Sequence, residues 1–79
     1  MIRTLVKTDV IALEGRRYTV NYFEMITPRG AQRYCSELLL GPGDRIIVDG
    51  SSLGDLEWRV ARLMPATVYS RMLARSDAA

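Results

Sequence analysis

The chain has 79 residues, 48% of them apolar or aromatic and 25% charged, with a formal net charge of +2. That length predicts one small domain with a modest core, and the charged fraction sets aside disordered and low-complexity classes. A single cysteine, Cys35, and the lack of any histidine exclude an internal disulfide, a Cys/His zinc site and every Ser-His or Cys-His nucleophilic pair, while +2 is too small a charge to argue for nucleic acid unaided.

Residues 2–13 are rich in β-branched types (Ile2, Thr4, Val6, Thr8, Val10, Ile11), which suit a pleated, half-buried surface and predict a first strand. Glu14-Gly15 forms a two-residue connection, and residues 16–27, with Tyr18, Val20, Tyr22, Phe23 and Ile26, predict a second strand. Thr27-Pro28-Arg29-Gly30 places Pro where a turn wants φ fixed and Gly where it wants φ positive, so a three-residue hairpin leads into a third strand over 31–40. With Pro28, Arg29 and Gly30 as the loop, Thr27 faces Ala31, Glu24 faces Tyr34, Tyr22 faces Ser36, Val20 faces Leu38 and Tyr18 faces Leu40. One sheet face is then apolar, and the other sets Phe23, Met25 and Thr19 against Arg33, Cys35 and Leu39. Both faces are partly greasy, so the sheet needs covering twice, by helices, by barrel closure or by another copy of itself.

Gly41-Pro42-Gly43-Asp44 carries a type II turn pattern. The strand that follows, 44–49, contains an uninterrupted Ile46-Ile47-Val48 run, which predicts burial on both faces and a place inside the sheet. Ser52, with Asp55 three residues on, resembles a capping box, with Ser51 as the competing cap. Leu53, Leu56, Val60, Leu63 and Met64 share a helical stripe over 53–64. Pro65 should stop or kink that helix, and a second short helix over 66–75 would bury Val68, Tyr69, Met72 and Leu73, with Ser76 to Ala79 frayed.

Trp58 lies nearly opposite the core stripe, beside Gly54, Ala61 and Arg62, as a large aromatic between small residues that would suit an interface anchor; packing on the second helix or stacking beneath Arg62 is the plainer use. Arg16, Arg17, Tyr22, Arg29, Arg33 and Tyr34 give the hairpin 16–34 the basic and aromatic content of a nucleic-acid binder, although Glu24 is placed to neutralise Arg33. Asp44, Asp49, Asp55 and Glu57 sit at turn, strand-end and cap positions without the spacing of a calcium loop. Gly41-Pro42-Gly43 lacks the Lys and Ser/Thr of a phosphate loop, Cys35 reads as a buried small hydrophobe, and Lys7 is the only lysine.

The fold class these signals predict is α+β: a four-stranded, mostly antiparallel meander followed by a C-terminal helix broken at Pro65, with a small β-barrel and appended helices as the alternative. No cofactor or metal is expected, and no enzymatic activity. The predicted role is a protein-interaction module that binds itself or another protein through Gly54, Trp58, Ala61 and Arg62 or through Phe23, Met25 and Leu39; nucleic-acid binding by the hairpin is the alternative. Leu38–Leu40 and Ile46–Val48 are the longest apolar runs, far short of the roughly 20 residues that cross a bilayer. Lys7 and Asp9 interrupt any signal-like stretch. No membrane partner is expected, and a cytoplasmic location is.

Overall fold

The computed structural model describes residues 2–78. Strands β1 (Ile2–Leu13), β2 (Arg16–Ile26), β3 (Gln32–Gly41) and β4 (Asp44–Gly50) form one antiparallel sheet in the order β1-β2-β3-β4, and helix α1 (Leu53–Ala78) follows. The sheet is open, with β1 and β4 at its edges, so the barrel alternative is not realised.

Turn chemistry sets the meander. Glu14 and Gly15 take φ of 52° and 75°, both positive as a type I′ hairpin turn requires, and Gly43 takes 70° behind Pro42. At the middle turn the Thr27 amide donates to the Ala31 carbonyl at 2.9 Å, the Gly30 amide donates to the Thr27 carbonyl at 2.8 Å, and Gly30 has φ of 80°. The β2–β3 register follows from that loop, with Glu24 opposite Tyr34, Tyr22 opposite Ser36 and Val20 opposite Leu38. Because side chains alternate, Glu24 lies on the helix side and Arg33, opposite Met25, on the other. The expected Glu24–Arg33 neutralisation is therefore absent: the two side chains leave opposite faces.

β4 is an edge strand rather than an interior one. Ile46 and Val48 face α1 while Ile47, on the reverse face, is 48% exposed. A continuous apolar run signals burial on both faces only where both faces are covered, and here one is not.

α1 begins where the sequence places it. The Ser52 hydroxyl accepts the Asp55 amide at 3.1 Å, and the Leu56 amide reaches the Ser52 carbonyl at 3.1 Å. Gly50 brings β4 close beneath this first turn, since a Cβ there would sit 3.3 Å from Leu56 Cβ. Leu56, Val60, Met64 and Val68 then repeat every four residues and pack on Tyr18, Val20 and Tyr22 of β2 and Leu38 and Leu40 of β3. These nine side chains are the core, with Ile11, Leu13, Tyr34, Ile46, Val48 and Leu53 packed around them.

The break expected at Pro65 does not occur; the helix is continuous from Leu53 to Ala78, with Ala79 outside the described residues. Pro65 and Ala61 are both exposed, so the ring points away from the sheet and the Ala61 carbonyl deprived of its amide partner can take water instead. Beyond Pro65 the helix is held in phase by buried Val68 and by Arg71, whose Nε and Nη2 donate to Asp44 Oδ2 and Oδ1 at 3.0 and 3.2 Å. The consequence is that Tyr69, Met72 and Leu73, expected to be buried with Val68, are exposed, as is Leu63. Tyr69 and Leu73 turn away from the one core stripe a helix in a single phase has, whereas Met72 continues that stripe past Val68, beside Tyr18, and stays partly exposed there.

Candidate interaction surface

Alternation along the strands sorts the candidate residues onto faces. Away from α1, the sheet presents cross-strand rows: Leu5, Phe23, Cys35 and Asp49; then Thr8, Asn21, Glu37 and Ile47; then Val10, Thr19, Leu39 and Arg45. Phe23, Met25 and Leu39 share this uncovered face, as the hairpin register implies. Leu5, Val10 and Ile47 join them and were not singled out from the sequence; the period-two pattern identifies them once β1 and β4 are known to flank the hairpin. Leu5, Val10, Leu39 and Ile47 are all exposed, Val10 by 61%. Leu39 and Ile47 are diagonal neighbours on adjacent strands, Leu5 stands beside Phe23, and Val10 is set apart from Leu39 by Thr19; exposed apolar groups gathered on one face mark contact surfaces more often than isolated ones do.

Polar groups on the same face are fixed locally. The Arg3 guanidinium stacks 4.0 Å from the Phe23 ring centroid, the Thr8 hydroxyl donates to Asn21 Oδ1 at 2.8 Å, and Arg45 Nη1 donates to Glu37 Oε2 at 2.7 Å. Glu37 is only 8% exposed although it lies on the open side, because Arg45 covers it. Cys35 is buried, its thiol donating weakly to Met25 Sδ at 3.9 Å, and burial pushes its pKa up from the ordinary thiol value. A thiol so placed stays protonated and poorly nucleophilic at neutral pH.

Trp58 is 59% exposed on the outer side of α1, with the Arg62 guanidinium 4.8 Å from its ring centroid. Gly54, Ala61 and Arg62 are exposed beside it. The two candidate interfaces therefore lie on opposite sides of the molecule and do not combine into one surface. Val48, Asp55, Trp58, Arg59, Arg62 and Leu63 line an open groove of about 420 Å³ between α1 and the free edge of β4.

The nucleic-acid candidates are scattered. Tyr22 is 2% exposed beneath α1 and Tyr34 is half-buried on the same side, so neither offers a ring for base stacking. Arg16, Arg17, Arg29 and Arg33 are exposed. Arg17 lies near the first turn, however, and Arg33 is opposite Met25, eight residues further along β2, which is about 26 Å at the rise of a strand.

The ionisable groups elsewhere serve the fold. Lys7 Nζ is 3.2 Å from both Asp9 and Glu57, and those carboxylates raise its pKa. Asp55 accepts from Arg59 at 3.1 Å. The Arg71 guanidinium holds the Asp44 carboxyl below the usual carboxylate range. Of the four acidic residues between 44 and 57, Asp49 alone has no ion-pair partner among the described residues. Among those residues no group of His, Cys, Asp and Glu is arranged to hold a metal, and no helix is long and apolar enough to cross a membrane. No protein-family model, curated protein or solved structure matches the chain.

Proposed function

We propose that the chain is a non-enzymatic protein-interaction module that associates with copies of itself through the uncovered face of its sheet. The exposure of Leu5, Val10, Leu39 and Ile47 on the face opposite α1 carries this reading. A second copy is the occupant this face suits, because Arg3, Arg17, Arg33 and Arg45 stand on it with Asp49 and the Arg45-bound Glu37, so that arginines of one copy can fall beside the carboxylates of the other. The groups that could act as nucleophiles are otherwise engaged: Lys7 by two carboxylates and Cys35 by burial. A cytoplasmic setting, where thiols remain reduced, suits the free Cys35.

Sedimentation equilibrium over a wide dilution series tests the reading. Val10→Asn and Leu39→Asn, both at exposed positions, should weaken association while leaving the melting temperature of the dilute protein unchanged. A wild-type chain that stays monomeric at every concentration, or association lost on Trp58→Ala and unaffected by the two sheet variants, overturns it.

A further inference from the structure

We propose that two copies of this chain also join through the free edges of their β4 strands, antiparallel about Ile47, to make one continuous sheet with four strands from each copy. This contact uses the backbone edge of β4 and not the open face, although Arg45 and Asp49 belong to both.

The backbone phase comes first. The Thr27 amide bonds to the Ala31 carbonyl, and hydrogen-bonded pairs alternate along an antiparallel ladder. On β3 the odd-numbered residues 31 to 39 therefore bond toward β2, and the even-numbered ones bond toward β4. Through the pairs Tyr34 with Gly50, Ser36 with Val48 and Leu38 with Ile46, the even residues of β4 are satisfied by β3. The amides and carbonyls of Arg45, Ile47 and Asp49 point outward from the sheet with no strand beside them.

Side chains then select a register. Turning β4 about a two-fold axis at Ile47 puts Ile47 opposite the partner's Ile47 and Arg45 opposite the partner's Asp49, twice by symmetry. Ile46 falls opposite the partner's Val48 on the helix side. All three outward-facing residues become hydrogen-bonded pairs, the overlap covers the whole seven-residue strand, and both opposed charge pairs are of unlike sign. Shifting the register by two residues places Arg45 or Asp49 against Ile47 instead and loses that match. Asp49, without an ion-pair partner among the described residues of its own chain, gains one, and Arg45 lies between Glu37 and the partner's Asp49.

The helices permit this approach. α1 packs over β3 and β4 together. Two such helices, related by an axis just outside β4, lie on the same side of the joined sheet. Exposed Leu63 lines the groove beside β4. Ala66 and Ser70, at helical spacing from it and also exposed, are small enough to admit a neighbouring helix. The opposite edge is less suited, because β1 is interrupted by an irregularity between Leu5 and Lys7 and carries the Lys7–Asp9 ion pair.

Amide hydrogen exchange on the wild-type chain is the first measurement. At concentrations where the chain is associated, the amides of Arg45, Ile47 and Asp49 should be protected, and dilution should remove their protection while the amides of Ile46 and Val48 keep theirs. Sedimentation of Asp49→Arg should then show the dissociation constant weakened about tenfold or more, because two attractive pairs become repulsive. An equimolar mixture of Asp49→Arg with Arg45→Glu should recover wild-type affinity, since both cross-strand oppositions are again of unlike sign. Association without concentration-dependent protection at Arg45, Ile47 and Asp49 overturns the edge contact and leaves the open-face reading standing. Failure of the mixture to associate, with both variants showing wild-type circular dichroism, also overturns it. Protection at β4 with no effect of Val10→Asn or Leu39→Asn supports the edge contact and removes the open face.

Discussion

Replacing Pro65 by Ala should stabilise the protein, and the size of the gain follows from where the ring sits. Proline inside a helix costs about 3 kcal/mol relative to alanine, through the lost amide and the clash with the carbonyl four residues back. Part of that returns on substitution as extra unfolded-state entropy, about 0.4–1 kcal/mol. Pro65 and Ala61 are exposed and the neighbouring core side chains Met64 and Val68 stay in place, so no cavity is created and the net gain is about 2 kcal/mol. For a domain of this size that is a rise of roughly 8–16 °C in melting temperature. Thermal unfolding followed by circular dichroism at the helical minimum reads it, with Pro65→Gly as the control that should gain about 1 kcal/mol less. An unchanged or lowered melting temperature for Pro65→Ala would refute the reasoning: it would mean that the turn around Pro65 is bent, and that residues 66–75 depend on the bend for their packing.

Three further outcomes are expected. Ser36 Oγ is fully buried without a hydrogen-bond partner, so Ser36→Ala should raise stability by about 1 kcal/mol, and a loss of that size in urea unfolding would show that the hydroxyl is satisfied. Glu14 holds φ of 52° at the first position of its turn; Glu14→Asn, which tolerates that region, should stabilise by about 1 kcal/mol, and a fall in the urea midpoint would count against a type I′ turn. Arg71 lowers the pKa of Asp44, so the pair's stabilisation is present above the unfolded carboxylate value near about 4 and is lost as pH falls through the lower folded value. The melting temperatures of the wild type and Arg71→Gln should therefore converge between neutral pH and strong acid, whereas parallel curves would show that the pair is not felt.

How much of this was legible in the sequence varies with the range of the interaction that decides it. Turns and registers were legible because they are local: Pro28 and Gly30 determine a loop length, and the loop length determines every pair from Thr27–Ala31 to Thr19–Leu39. The Ser52 cap was legible for the same reason. The continuity of α1 through Pro65 is not legible locally, because the groups that offset the proline are distant: Val68 in the core and Asp44 beneath Arg71, 27 residues away in sequence. The exposure of Ile47 is not legible either, because an apolar run reports the demand for cover and not its supply. Trp58 was placed correctly as outward-facing by the helical wheel, but whether an outward aromatic is an anchor is decided by a partner's surface, which no spacing within the chain encodes.

The two proposed contacts are linked through the geometry of an open sheet. A four-stranded sheet with one helix can cover one face and leave two edges, and this chain treats the three uncovered regions differently. β1 is interrupted by its irregularity and carries paired charges at Lys7 and Asp9, the usual means of making an edge a poor template. β4 is regular from Arg45 to Gly50 against β3, and its charges, Arg45 and Asp49, are symmetric about Ile47, so they attract in one register, face Ile47 when it shifts by two residues and repel when it shifts by four. Charges arranged that way do not simply block an edge; they choose what may pair with it. Edge pairing in that register would also bring the two open faces into one plane, with both Ile47 side chains at its centre and Leu39 and Val10 extending to either side. The apolar area offered for face-to-face packing would double with no change in either chain. Association should then be sequential, with edge pairing at the lower concentration, and Asp49→Arg should weaken assembly through the open face even though Asp49 itself adds little apolar area there. Equal and independent effects of Asp49→Arg and Leu39→Asn on the sedimentation isotherm would show that the two surfaces are not coupled in this way.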